Sequence, residues 1–280
     1  AFGLSASTVS RRFIQASATQ RQALQARDLR AYDVVARVRD GQTVAQDSMV
    51  IALGVTLTGD KVVLGFDQTA TENETVCRAF LRELVEHGLR VEPGLLVVRD
   101  GAKGLRAAVT RVFGAQTPVQ CCQWHKRENV VAYLPKTLQD PWRRKLQAAY
   151  QRPTYAEAQA ALSRRRPELR LLNASAVTSL EEGLEETLTL HRLGVFRELG
   201  IRLKTTNCLE SLNSLVAPRV AKVAHWRSSD QKQRWLAAAL LDIEPRLRRL
   251  NGFRALPLLR VALERARQQE EGTALAVQVA

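Results

Sequence analysis

The sequence contains no long apolar run, only four cysteines among 280 residues, and few aromatic residues, which make up 5% of the chain. A membrane-spanning helix needs about 18 or more consecutive apolar residues, and the apolar stretches here are far shorter. Residues 1–5 also lack the basic segment and following apolar stretch of a signal peptide. The cysteines, at positions 77, 121, 122 and 208, provide no disulfide framework. These absences predict a cytoplasmic protein with reduced thiols and no membrane association.

The charge balance is strongly basic. Lysine and arginine together number 42, against 28 aspartates and glutamates, which gives a net charge of +14. Such an excess favours a polyanionic partner, of which nucleic acid is the commonest. A soluble basic protein without such a partner is the alternative. With 45% hydrophobic residues, the chain is long enough to bury the core of one large domain or of two smaller ones.

The hydrophobic pattern predicts an α/β fold in the first half of the chain. Apolar runs separated by turn residues predict a three-stranded antiparallel meander, at residues 32–39, 47–57 and 61–66. The pattern then predicts a helix at 72–87, a strand at 95–98, a helix at 103–113 and a strand at 119–121. Because strands alternate with helices in this second part, parallel pairing is expected there and the sheet is predicted to be mixed.

The second half of the chain is predicted to be helical. Residues 138–203 show no strand pattern, and three prolines divide them into short helices. Residues 204–250 carry further amphipathic helices, and the segment after residue 266 has the polar composition of a frayed terminus. The predicted units are residues 1–30, 31–137, 138–203, 204–250 and 251–280.

Residues 3–13 predict a turn followed by a short helix, with Ser5 as the N-cap residue. This arrangement resembles the second half of a helix-turn-helix, whose recognition helix presents small polar and basic side chains to DNA. Arg11 and Arg12 are therefore candidate DNA contacts, and residues 1–30 a partial DNA-binding region with its linker. An ordinary capped helix explains the same stretch.

Three carboxylates are candidates for catalysis. Asp40 and Asp100 end two predicted strands, where α/β sheets commonly face their ligands, and Glu210 lies near the start of a predicted helix. Clustered carboxylates suit Mg²⁺ and would support two-metal chemistry on a phosphodiester. Each acid also has a structural alternative. Asp-Gly is a common turn dipeptide, and the spacing from Asn207 to Glu210 is that of a capping box.

Three sequence blocks resemble those of the Mutator-like bacterial insertion-sequence transposases. Residues 98–109, VRDGAKGLRAAV, look like the block around the family's second aspartate. Residues 120–130, QCCQWHKRENV, look like the Cys-x-x-His segment that follows it. Residues 204–213, KTTNCLESLN, resemble the block of the terminal glutamate, and Asp40 after a strand matches the position of the first aspartate.

The resemblance implies an RNase H-like core of the Asp-Asp-Glu type, with the all-α segment 138–203 inserted between its two parts. Asp40, Asp100 and Glu210 would then bind two Mg²⁺ ions, with Mn²⁺ as an alternative metal. One ion would activate a water, and later a DNA 3′-hydroxyl, while the other stabilises the leaving oxygen. Glu210 would face the two aspartates rather than its own helix terminus.

The implied reactions are cleavage at transposon ends and strand transfer into target DNA. The expected partners are these two DNAs, with a homo-oligomer assembled on the paired ends. Two other functions fit the same residues. One is a nuclease on the same fold that cuts without joining, and the other is a DNA-binding protein in which the acids are structural.

Cys122 and His125 form the Cys-x-x-His pair. The resemblance implies a structural motif near the active site. A zinc site would need two further ligands, and Cys121 cannot easily bind the same ion as Cys122. Cys121 also stands where the family usually has arginine, which removes a potential phosphate contact.

Further polar residues in the same blocks are candidate DNA contacts, because lysine, arginine and asparagine commonly bind the phosphate backbone. A solvated helix face is the alternative for each of them. They are Arg127, Asn129, Lys204, Asn207 and Asn213.

Overall fold

The computed structural model describes residues 3, 5–44, 47–69, 73–101, 103–221, 223 and 225–279, without the side chains of 39–44, 47, 48, 103 and 270–279. A mixed sheet lies at the centre of this fold. Its strands are β1 (Val34–Val44), β2 (Asp47–Thr56), β3 (Lys61–Thr69), β4 (Leu96–Arg99) and β5 (Val119–Cys121). They are ordered β3-β2-β1-β4-β5.

The pairing confirms a meander followed by parallel strands. β2 is antiparallel to both β1 and β3, whereas β4 is parallel to both β1 and β5. Helices cover both faces of the sheet. Those of the first part are α1 (Ala6–Gln25), α2 (Glu74–Glu86) and α3 (Lys103–Phe113). The α/β prediction is therefore confirmed for this part of the chain.

The helical segment that follows contains no strand in its described residues, as predicted. Its helices are α4 (Gln123–Val131), α5 (Lys136–Tyr150), α6 (Tyr155–Ser163), α7 (Arg166–Leu172), α8 (Ala174–Glu181), α9 (Leu184–Thr187), α10 (Thr189–Arg192) and α11 (Phe196–Leu203). The chain then forms α12 (Asn207–Val220), α13 (Ser229–Ile243), two 3₁₀ turns (Glu244–Arg246 and Phe253–Ala255) and α14 (Leu256–Val279).

β2 shows why the central strands have continuous apolar sequences. Met49, Ile51 and Leu53 belong to one buried cluster, which contains side chains of α12, α13 and α14. Val50 and Ala52 belong to another, which contains side chains of α2 and α3. Since successive side chains of a strand point to opposite faces, both faces of β2 are covered and its positions from Met49 to Val55 carry no polar side chain.

β1 is longer than predicted, and this changes the position of Asp40. The Asp-Gly pair was predicted to end the strand, but the antiparallel ladder with β2 continues to the pair of Val44 and Asp47. Both the strand-end prediction and the turn alternative are therefore wrong for Asp40, because long-range pairing keeps its backbone extended. On its other edge, β1 pairs with β4 only as far as Arg39 and Arg99, so Asp40 is the first residue of β1 beyond β4.

The helical segment has its own hydrophobic core. It extends from α4 to the residue after α9 and includes the fully buried side chains of Trp142, Leu146 and Leu162. We call residues 123–192, from α4 to α10, the helical block. A separate cluster of this size explains why the segment interrupts the α/β part without disturbing the sheet.

A polar seam joins the helical block to β5. The amide of Gln120 donates to the carbonyl of Thr187 at 2.9 Å and accepts from the N–H of Leu190 at 3.0 Å. The hydroxyl of Thr189 donates to the carbonyl of Val119 at 2.6 Å. These groups are buried, so their hydrogen bonds satisfy polar atoms that water does not reach.

Two terminal predictions need correction. The segment after residue 266, predicted to be a frayed terminus, continues the helix α14, whose first half packs Leu256, Leu259 and Leu263 on the main core. At the other end, Ser5 caps α1 by accepting from the N–H of Thr8 at 3.2 Å, as predicted. α1 is one 20-residue helix packed on α13 rather than a short recognition helix.

Among the described residues, no helix combines the length and apolar composition that crossing a bilayer requires.

Candidate active site

Asp100 lies directly after β4, as predicted, and its side chain is half-buried. Gly101 follows with φ of +138°, in a region of backbone conformation that favours glycine. The chain turns here towards α3. The turn explains the glycine. Asp100 lies at the end of β4, the strand that pairs with β1, which contains Asp40.

Two backbone hydrogen bonds hold the three transposase-like blocks together. The N–H of Cys122 donates to the carbonyl of Arg99 at 2.7 Å, which places the start of α4 beside the end of β4. The N–H of Gln123 donates to the carbonyl of Lys204 at 2.9 Å, which places the approach to α12 beside the same turn. Blocks that are up to a hundred residues apart in sequence therefore meet at one place.

Thr206 is at the centre of this junction. Its hydroxyl oxygen lies 3.2 Å from Oε1 of Glu210, 3.5 Å from Nδ1 of His125 and 3.7 Å from Sγ of Cys122. A hydroxyl has one proton to donate, and a carboxylate is the strongest acceptor of the three. Thr206 therefore donates to Glu210 and is left to accept from His125. The sequence analysis missed this residue.

Glu210 does not form a capping box. α12 begins at Asn207 with Thr206 as its N-cap residue, so Asn207 is not the cap. The carboxylate is exposed and contacts the side chain of Thr206, at its own helix terminus. Glu210 therefore keeps a contact at its own helix terminus, and its approach to Asp40 and Asp100 stays a prediction. α12 packs against β1, the strand that carries Asp40.

The two neighbouring cysteines at the junction differ in acidity. Burial raises the pKa of Cys121 to about 11. Burial acts in the same direction on Cys122, but hydrogen bonds with the side chain and backbone of His125 outweigh it, so the pKa of Cys122 is lowered. The Cys-x-x-His spacing thus produces a direct contact between the two side chains. All four cysteines are buried thiols.

The donor set at this site determines which metal it fits. Within the described part of the chain, no three His, Cys, Asp or Glu side chains are grouped to hold an ion, and Cys122 and His125 gain no further zinc ligand. The carboxylate of Asp40 lies outside the described side chains. Asp40, Asp100 and Glu210 would supply oxygen donors alone, the type that suits Mg²⁺ or Mn²⁺.

The candidate DNA contacts occupy different environments. Arg11 and Arg12 are exposed on α1, and Asn207 is exposed at the start of α12. Arg127 is paired with Glu128 at 2.9 Å. The exposed residues are free to reach a phosphate without losing a partner contact, whereas Arg127 would have to exchange one.

Of the three other candidates, Lys204 and Asn213 are half-buried near the junction and Asn129 is exposed. Lys204 has its pKa lowered by burial and by the nearby charge of Arg127. Asn213 lies one turn after Glu210, and its Oδ1 is buried without a hydrogen-bond donor among the described residues. Asn129 lines a cavity of about 690 Å³ that also borders Asp100.

This cavity lies between the end of β4 and the helical block. Several of the charged side chains that line it have partners within the protein. Glu186 accepts from both Arg99 and Arg106, the latter at 2.7 Å. Lys126 donates to the carbonyls of Ser179 and Glu182, near the end of α8. The pairing fixes the helical block against the strand that leads to Asp100.

Comparison with known proteins identifies the family. The family described as "Transposase, Mutator family" matches residues 3–248. The transposase for insertion sequence element IS6120 of Mycolicibacterium smegmatis is 30% identical over 223 residues, which cover 78% of this chain and 67% of that protein. The transposase for ISRM5 of Rhizobium meliloti is 29% identical over 207 residues, 74% of this chain and 50% of that protein.

A third relative, the transposase for IS256 in transposon Tn4001 of Staphylococcus aureus, is 28% identical over 213 residues, which cover 74% of this chain and 52% of that protein. The chain thus spans about half the length of the Staphylococcus and Rhizobium relatives. The family match extends from α1 to the first 3₁₀ turn and includes all three blocks that meet at the junction. The chain belongs to the Mutator family of insertion-sequence transposases.

Proposed function

We propose that this chain is the catalytic part of a DNA transposase that cleaves DNA at transposon ends and joins those ends to target DNA. The observation that carries the proposal is the junction itself. Two backbone hydrogen bonds bring the segment after Asp100 and the segment before Glu210 to the same turn, next to the strand that contains Asp40. The net charge of +14 suits a DNA substrate.

An RNase H-like core is part of the proposal. Three antiparallel strands followed by two parallel ones, with helices on both faces, support it. The helical block lies between Asp100 and Glu210 in sequence and has a core of its own, which supports an insertion into that fold. The sheet would then hold Asp40 and Asp100, and α12 would bring Glu210 to them.

Asp40, Asp100 and Glu210 would hold the catalytic Mg²⁺ ions, with Mn²⁺ as an alternative. When bound, two such ions supply Lewis-acid stabilisation of the attacking and leaving oxygens of an in-line displacement at phosphorus. The chain's own residues position the acids. Thr206 orients the Glu210 carboxylate through its hydroxyl, and the contact of Cys122 with Arg99 fixes the turn after β4.

Duplexes that carry the element's terminal repeats, incubated with a target plasmid and Mg²⁺, test the proposal. We expect joined product from the wild-type chain and none from Asp100→Asn or Glu210→Gln. Asp140→Asn is the matched control, because this exposed carboxylate lies in the helical block and pairs only locally with Arg143. Full joining by the Asp100 and Glu210 variants would contradict the assignment.

The same assay separates the alternatives. Cleavage without joining would indicate a nuclease on this fold. Binding of the end duplex without either reaction would indicate a DNA-binding protein with structural acids. A variant at Asp40, Asp40→Asn, tests the third carboxylate in the same way, and we expect it to lose cleavage and joining together.

A further inference from the structure

A small cavity lies beside the junction, on the side of α4. Its volume is about 150 Å³, and its lining includes Trp124, Arg127 and Lys204. Trp124 is 44% exposed, whereas Trp142 in the same helical block is only 2% exposed. An exposed indole at the wall of a cavity is a surface on which a flat ring can stack.

The other two tryptophans do not offer such a surface. Trp226 and Trp235 pack against each other with ring centroids 6.4 Å apart, and Phe13 covers Trp235 at 4.7 Å. Among the described aromatic rings, Trp124 contacts that of His125, edge to face, with centroids 4.8 Å apart. Its faces are therefore more open than those of the other tryptophans in the described chain.

Lys204 supplies a cation at the same cavity. Its ammonium lies 5.7 Å from the ring centroid of Phe196, and no carboxylate among the described residues pairs with it. A half-buried charge without a counter-ion is costly, and the repulsion from Arg127 adds to this cost. An anion bound at this position would lower the energy of the folded protein.

The cavity is close to the proposed catalytic carboxylate. The N–H of Gln123, the residue before Trp124, donates to the carbonyl of Lys204. The ring of Trp124 contacts His125, which contacts Thr206, and Thr206 donates to Glu210. Only two side chains separate the indole from Glu210.

We propose that Trp124 and Lys204 form a nucleotide subsite in which a nucleobase stacks on the indole while a neighbouring phosphate binds the ammonium. This inference rests on the proposed function and names where the DNA strand beside the reacting phosphate is held. Stacking on aromatic side chains tolerates any base, and lysine binds phosphate without reading sequence. An apolar peptide would cover Trp124 but leave Lys204 without a counter-ion.

The size of the cavity restricts the ligand further. Pockets for drug-sized ligands have roughly 300–1,000 Å³, so this smaller cavity admits one ring system. A base reaches the indole only after it leaves the stack of a duplex, which costs a few kcal/mol and least where the base is unpaired. The subsite is therefore specific for a base in single-stranded or distorted DNA.

Single-stranded oligonucleotides test the subsite without any reaction. The probes are a twelve-residue thymidine oligonucleotide and an abasic oligonucleotide with the same number of phosphates, both in a metal-free buffer. We expect the thymidine probe to quench tryptophan emission and the abasic probe to bind without this quenching. Trp124→Leu should abolish the quenching and bind the thymidine probe about tenfold more weakly. Its affinity for the abasic probe should be unchanged.

Lys204→Gln should lower the affinity for both probes and reduce the salt dependence of binding by the equivalent of about one phosphate contact. Trp235→Phe is the control, because it removes an indole that is packed against Phe13, and quenching should survive it. Trp124→Phe should retain part of the affinity, since a smaller ring still stacks.

Equal quenching by the two probes, or wild-type affinity of Trp124→Leu for the thymidine probe, would overturn the subsite. Circular dichroism confirms that each variant is folded. Failure of the proposed function gives a different result, because a wild-type chain that does not join DNA would still show base-dependent quenching. Joining without that quenching would leave the function standing and remove the subsite.

Discussion

The hydroxyl of Thr206 donates to Glu210 across 3.2 Å, so the residue that precedes α12 orients the acid in its first turn. Thr206 is fully buried, and its side chain makes no capping bond to the backbone of α12. Replacing it therefore tests the contact with Glu210 rather than the stability of the helix start.

Thr206→Val is expected to reduce the rate of end cleavage about fivefold, because it keeps the shape of the side chain and removes the hydrogen bond, worth roughly 1 kcal/mol. Thr206→Ser should restore most of the rate. The measurement is single-turnover cleavage of an end duplex, with unfolding in urea as the check on stability. An unchanged rate for Thr206→Val would show that Glu210 is oriented by other contacts.

Divalent metal should stabilise the folded chain if the three acids bind it. Any ligand that binds only the folded state raises the melting temperature. We expect Mg²⁺ or Mn²⁺ to raise the melting temperature of the wild-type chain by a few degrees, and chelation to reverse the change. The double variant Asp100→Asn with Glu210→Gln should show no such response, whereas Asp140→Asn should respond as the wild type does.

Glu186→Gln should weaken the attachment of the helical block. The Glu186 carboxylate binds Arg99, whose side chain is 6% exposed, and Arg106. Removing the charge takes a carboxylate partner from a buried guanidinium, which costs about 3 kcal/mol. The free energy of unfolding in urea measures the effect.

Glu168→Gln is the matched control for this charge, because Glu168 pairs with Lys145 at an exposed position. Exposed pairs of this kind contribute about 0–1 kcal/mol. Equal losses for the two variants would mean that the Glu186 pair is no more important than a surface contact.

Folding stability should depend on pH through His191. Burial lowers the pKa of His191 from its usual value of 6.5, and its Nε2 contacts the carbonyl oxygens of Tyr150 and Arg152 at 3.2 and 3.0 Å. The unfolded chain then binds more protons than the folded one below pH 6.5. Stability contributed by the neutral ring is complete above that pH and is lost as the pH falls.

Urea unfolding of the wild type and of His191→Gln between pH 8 and pH 5 measures this contribution. The free energy of unfolding of the wild type should fall more steeply below pH 6.5 than that of the variant. Parallel curves would assign the acid sensitivity to other groups.

The strands of the sheet and its combination of antiparallel and parallel pairing follow closely from the sequence. Continuous apolar runs predicted β2 and β5 within a residue or so, and α3 within its observed bounds. These elements were predictable because local patterning and burial agree. The bounds of β1 were not, because an Asp-Gly pair usually turns the chain and only its pairing with a distant strand keeps Asp40 extended.

Two further features depend on tertiary contacts that no local pattern contains. Thr206 lies in a run of short polar residues, and its contacts with Cys122 and His125 arise from the packing of α4 beside α12. α14 is apolar at its start and polar further on, and the burial of its leucines is evident only once β1 lies beside them. Sequence similarity supplied the candidate acids, and the structure supplied what holds them in place.

The seam between β5 and the helical block has a consequence for how the two parts share a bound strand. Apolar contacts allow neighbouring surfaces to slide. The hydrogen bonds of Gln120 and Thr189 are directional, so they are satisfied in only one relative position of β5 and the helical block. A polynucleotide bound across both parts would therefore meet two surfaces whose relative orientation does not change, and any adjustment of shape would fall to the nucleic acid.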